Sequence, residues 1–96
     1  MDTVKAPETI EKEKVASLHF PETEVLAAKD DLQRRTYELE RASQLGNGPH
    51  VKIRIIFEDT ESVKLVETTV WAVTKERVVL KQGITIPINR IHEIKE

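Results

Sequence analysis

The feature that most constrains this chain is the stretch from Val51 to Ile94, VKIRIIFEDTESVKLVETTVWAVTKERVVLKQGITIPINRIHEI, where most β-branched and aromatic residues collect in short alternating runs. Period-two alternation broken by turns of two to four residues describes half-buried strands meeting at hairpins around one small core. Val51–Glu58 reads as a first strand with Val51, Ile53, Ile55 and Phe57 facing the core. Asp59–Ser62 makes a polar turn. Val63–Thr74 is a long strand whose apolar side switches midway, as expected where a sheet bends sharply. Lys75-Glu76 supplies a hairpin into Arg77–Lys81, and Gln82-Gly83 a second tight turn in which glycine provides a positive φ. Ile84, Ile86 and Ile88 then alternate inward, and Pro87 implies an edge position or a break. Ile91 and Ile94 begin a last brief strand. Four strands, the last of them long, and five strands with a break near Asn89 are both compatible with this end.

Upstream, Pro21 and Thr23 carry N-terminal helix signals, with Glu22 and Glu24 placed where a helix dipole favours negative charge. Val25, Ala28, Leu32, Leu39 and Ala42 form a narrow apolar stripe, widened by Leu26 and Leu45. Arg35 interrupts that stripe, and two heptads are too few for a coiled coil, so the helix is expected to pack on the sheet. Gly46-Asn47-Gly48-Pro49 ends it, Gly or Asn taking a left-handed cap. Residues 1–20 show charge runs and scattered apolar residues without sustained periodicity. They read as a charged, mobile tail that is dispensable for folding, or as a segment that folds on a partner with Leu18 and Phe20 as anchors.

These readings make one domain over 21–96, a helix at 21–47 and a small β-barrel at 48–96. The expected class is α+β, mainly β, with an N-terminal helix packed on a five-stranded barrel. Residues 1–47 hold seven Lys/Arg against ten Asp/Glu, and residues 48–96 hold eight against seven, giving −3 and +1. Neither half has the strongly basic footprint that phosphate-backbone binding leaves. Absence of cysteine excludes disulfides and thiolate metal sites. With no signal-peptide pattern and no apolar run of membrane-spanning length, a cytoplasmic location is expected.

An N-terminal helix followed by five short strands, the second strongly bent, resembles the Sm-like folds, a branch of the SH3-like barrels. Val70–Leu80 and Ile84–Ile94, the latter containing Ile-Pro-Ile-Asn-Arg-Ile-His-Glu-Ile, look like the two halves of an Sm motif. The resemblance covers about half the chain and implies an RNA-binding alternative. Sm proteins that bind uridine-rich RNA place an acid and an asparagine after strand two, and Arg-Gly or Lys-His before the last strand. Here the loops are Thr74-Lys75-Glu76-Arg77, about one residue short, and Asn89-Arg90, without glycine. Arg90 alone carries over as a nucleic-acid-contacting residue. The span Val63–Ile94 is also similar to short bacterial proteins of Bacteroidetes type, which brings a fold and a provenance but no mechanism.

Candidate chemistry is sparse. His19, His50 and His92 are spread over tail, loop and last strand, whereas zinc needs three or four converging ligands. Glu67 stands in a strand with no base, nucleophile or metal partner, and reads as part of a solvated face. Trp71 reads as core or as cover beneath the helix, the other reading being an exposed ligand platform. No catalytic residue, cofactor or metal site is assigned, and the chain is not expected to be an enzyme. Arg90, Arg77, Lys75 and Asn89 are the candidate partner- or RNA-contacting residues. Arg90 is expected to project from the strand break as a solvated charge. The expected role is an interaction module for a protein partner or for copies of itself, with RNA as the alternative.

Overall fold

The computed structural model describes residues 6–96. The first five residues of the expected tail lie outside them. The class is α+β: one long helix and two sheets. A four-stranded sheet has the order β1-β3-β2-β7, formed by Glu8–Thr9 (β1), Val63–Thr68 (β3), Ile53–Glu58 (β2) and Ile91–Lys95 (β7). A three-stranded sheet has the order β4-β5-β6, formed by Val70–Val73, Arg77–Leu80 and Thr85–Pro87. β2 is antiparallel to both β3 and β7. Ile53, Ile55 and Phe57 are buried as the alternation requires, while Val51, expected in the core, is exposed and lies before the strand.

The long second strand is two strands. β3 and β4 are separated by Thr69 alone and belong to different sheets. The buried set runs Lys64, Val66, Thr68, Thr69, Val70. Burial of two successive residues at Thr69 and Val70 marks the corner at which the inward face changes. Trp71, just past it, is 48% exposed rather than core. The Asp59–Ser62 turn is closed by Asp59, whose Oδ1 accepts the N–H groups of Glu61 and Ser62 and the Lys64 ammonium at 2.9 Å. Burial would raise the Asp59 carboxyl, but the Ser62 N–H, Lys64 and the Glu61 N–H outweigh it and hold the group below its ordinary value. At the second turn both Gln82 (φ 72°) and Gly83 (φ 81°) are left-handed, so the glycine falls where it is needed. Pro87 sits on β6, an edge strand, and a 3₁₀ turn at Ile88–Arg90 breaks the chain before β7.

The N-terminal segment is not a loose tail over its described part. β1 pairs in parallel with β3, Glu8 opposite Lys64 and Thr9 opposite Leu65, and the Ile10 N–H donates to the Leu65 carbonyl at 2.9 Å. A single helical turn, Lys12–Val15 (α1), buries Val15 to 1% exposure. Leu18 and Phe20 pack against the core, and the Phe20 and Phe57 ring centroids lie 6.0 Å apart. No period exists to be read because Ile10, Val15, Leu18 and Phe20 reach the core from the end of a strand, a helical turn and irregular chain in succession.

The long helix, α2, spans Lys29–Asn47 and starts later than Pro21 and Thr23 suggest. Residues 22–25 form a bent, non-helical segment whose backbone is engaged elsewhere. Asn89 donates to the Glu22 carbonyl at 2.6 Å, and the Val25 N–H donates to the Asn89 carbonyl at 3.0 Å. The buried positions of α2 are Arg35, Leu39, Ala42 and Gly46, a stripe in steps of four, three and four. Neither Gly nor Asn takes a left-handed cap: Gly48 has φ −101°, and the left-handed residue is His50 (φ 59°), after Pro49.

Two consequences are measurable. A Cβ built on Gly46 would stand 1.9 Å from the Val70 carbonyl oxygen, so the helix meets β4 backbone to backbone. Gly46→Ala should lower unfolding free energy by about 2 kcal/mol in denaturant titration despite alanine's better helix propensity. A chain beginning at Pro21 should lose about 3 kcal/mol or more, because Val15, Leu18 and β1 leave a cavity and an uncovered β3 edge. Equal melting temperatures of the truncated and full chains would contradict the docking of this segment.

Candidate functional site

An open groove of about 1120 Å³ lies between the N-terminal segment and the second sheet. One wall is Val15–Glu22 with Glu24. The other is the β4–β5 hairpin (Lys75, Glu76, Arg77), the turn at Gln82-Gly83, and β6 with Asn89. The hairpin is built by Thr74: its N–H donates to the Arg77 carbonyl at 2.8 Å, and its Oγ1 accepts the Arg77 N–H at 2.9 Å. That closure leaves Lys75 and Arg77 exposed at the rim. Arg77 reaches over β6, its Nη1 donating to Thr85 Oγ1 at 3.3 Å.

The structure thus brings Lys75, Arg77 and Asn89 to one groove and separates Arg90 from them. Arg90 is 6% exposed, not a projecting solvated charge. Its Nε donates to the Glu58 carbonyl at 3.1 Å, and its Nη1 donates to the Thr23 carbonyl at 2.8 Å and to Thr23 Oγ1 at 3.0 Å. The 3₁₀ turn reverses the outward direction that a simple strand break implies, turning the guanidinium into the seam between β2 and the bent segment at Thr23. A guanidinium with its fork occupied in this way is a structural tie rather than a nucleic-acid contact.

A second buried guanidinium, which the sequence shows only as a flaw in an apolar stripe, fixes the groove's end. Arg35 holds both carboxylate oxygens of Glu24, at 2.6 and 2.7 Å, and also donates to the Ile91 carbonyl at 3.0 Å. The Arg35 hydrogen bonds, together with the Leu26 N–H, hold the Glu24 carboxyl below its ordinary value against the opposing effect of burial. Asn89 completes the anchorage by donating to the carbonyls of Glu22 and Thr23. Three side chains from α2 and the 3₁₀ turn therefore set where the groove's N-terminal wall stands.

The ionic groups of the groove cancel. Arg35, Lys75 and Arg77 face Glu22, Glu24 and Glu76, with His19 beside them. Among the described residues no group of three or more His, Asp or Glu is placed to hold a metal ion. His92 instead lies 2.8 Å from Glu58. Glu67 is exposed. A smaller concavity of about 540 Å³ lies between α2 and β7, with Tyr37, Ala42, Ile53 and Ile94 as its apolar lining.

The sheet edges differ in how they are covered. β1 covers β3. α2 covers β7 with side chains: Arg35 takes the Ile91 carbonyl, Glu38 accepts the Ile94 N–H at 3.1 Å, and Arg41 pairs with Glu96. β6 is different. The Leu80 N–H donates to the Ile84 carbonyl and the Ile88 N–H to the Glu76 carbonyl, so residues 84, 86 and 88 turn their backbone groups to β5. Alternate residues of an antiparallel ladder face away, so the N–H and C=O of Thr85 point away from β5, on a residue that lines the groove. Among the described residues no turn, loop or side-chain hydrogen bond reaches them.

No family model, curated protein or solved structure matches this chain.

Removing the Arg90 tie should be costly. Arg90→Ala removes the donor shared by the part-buried Glu58 and Thr23 carbonyls and empties the space of a buried side chain, and should lower stability by about 2 kcal/mol. Arg90→Lys, lacking the planar fork, should recover less than half of that in the same denaturant titration. A neutral effect of Arg90→Ala would show that the guanidinium is not a tie.

Proposed function

We propose that this chain is a non-catalytic interaction module, an N-terminal helix on a five-stranded SH3-like (Sm-like) barrel, that binds protein, either another chain or a copy of itself. Strand succession supports the barrel reading. β2, then β3 and β4 as one bent strand, then β5, β6 and β7 follow the Sm-like order, with the 3₁₀ turn between the last two. The observation that carries the function is the open groove whose cations and carboxylates balance beside an unpaired stretch of sheet edge. Polypeptides carry hydrogen-bonding backbones and charges of both signs, and such a surface suits them. A polyphosphate backbone demands an excess of cations.

The RNA-binding alternative draws on the convergence of Lys75, Arg77 and Asn89. Burial of Arg90 and the facing carboxylates weigh against it. Mass in solution, measured by light scattering with and without a single-stranded oligouridine, tests the choice. The expected result is no oligonucleotide retention at physiological salt. A ring-sized oligomer that retains the oligonucleotide, with affinity falling steeply as salt rises, would replace the protein-binding reading with the RNA one.

A further inference from the structure

We propose that the edge of β6 takes up an extended peptide carrying acidic side chains, which adds as a short strand at Thr85 with its carboxylates on Arg77 and Lys75. The proposal rests on the interaction-module reading and names the partner's chemistry and its place.

Backbone geometry supplies the first requirement. Strand addition needs an N–H and a C=O of one residue pointing outward in extended conformation, so that one residue of the incoming chain exchanges both bonds. Thr85, which lines the groove, offers that pair away from β5, and Pro87, two residues on, removes the next donor. Pairing is thereby confined to a few residues, which favours a short peptide over the long edge of another sheet.

Charge supplies the second requirement. Lys75 and Arg77 are exposed, and neither joins an ion pair among the described residues; Glu76 between them is likewise exposed and unpaired, so this rim carries two cations against one carboxylate. Glu24, by contrast, is already neutralised by Arg35. Arg77 already leans on Thr85 Oγ1, so a carboxylate on a peptide paired with Thr85 meets a guanidinium without rearrangement of β5. The carboxylate of Glu22, on the opposite wall, sets a limit: a uniformly polyanionic ligand is repelled there.

The test uses the full chain and the blocked peptide acetyl-Val-Glu-Val-Glu-Val-amide, followed by amide NMR and hydrogen exchange. The expected result is a saturable shift centred on Thr85 and Ile86, with the Thr85 N–H becoming protected. The same peptide with lysine for glutamate should bind about tenfold more weakly. A version N-methylated at the central valine, which leaves the protein untouched, should lose the Thr85 protection. K75E/R77E should reverse the charge preference.

Equal binding of acidic and basic peptides, or shifts without Thr85 protection, would overturn the proposal. Concentration-dependent dimerisation with Thr85 remaining labile would overturn strand addition yet leave the interaction module standing. Binding of oligouridine in place of the peptide would overturn both. Protection of Thr85 by dimerisation alone would assign the edge to a second copy and likewise overturn the peptide.

Discussion

Two buried guanidiniums govern how the parts of this molecule meet. Arg35 comes from α2 and Arg90 from the 3₁₀ turn, and both close on the same non-helical segment, at Glu24 and Thr23. Each also binds the first sheet, Arg35 at the Ile91 carbonyl and Arg90 at the Glu58 carbonyl. Burying a charge is costly unless its hydrogen bonds are met. The segment at 22–25 is held bent and non-helical by these ties, and it carries the chain from the core-packed Phe20 across to α2, which begins at Lys29. The groove exists because this wall is held off the β4–β5 hairpin.

The central part of the chain was legible from residue pattern because sheet burial has a strict period. Ile53, Ile55 and Phe57, the polar turn at Asp59, the hairpin at Lys75-Glu76, Gly83 and the edge proline all follow from alternation and turn chemistry, and the three-residue spacing of Ile91 and Ile94 marks the short last strand. The bend in the second strand was legible too, but not its consequence. At Thr69–Val70 the inward face changes, and Trp71 falls on the solvent side. An apolar switch says that a corner exists, not which residue turns it.

What was not legible depends on contacts remote in sequence. Thr23 looks like a helix cap because its hydroxyl is suited to one, yet Arg90, 67 residues away, claims it. Arg35 looks like a defect in an apolar stripe because its partner Glu24 lies outside the helix. The N-terminal segment has no period because it meets the core through three kinds of backbone in turn. For the site, the convergence of Lys75, Arg77 and Asn89 follows from hairpin and turn positions. The inward rotation of Arg90 does not, since a single 3₁₀ turn decides it.

The contact between Gly46 and the Val70 carbonyl has a mechanical meaning. Side-chain packing lets a helix slide by small repacking steps, whereas backbone against backbone leaves no compliant layer between the two elements. The C-terminal end of α2 is thus seated rigidly on β4, while further up the helix Arg35 and Glu38 tie it to β7 and Arg35 to the half-exposed Glu24. Arg35 and Glu24 also line the groove, so one ion pair belongs both to the helix's fastening and to the groove's wall.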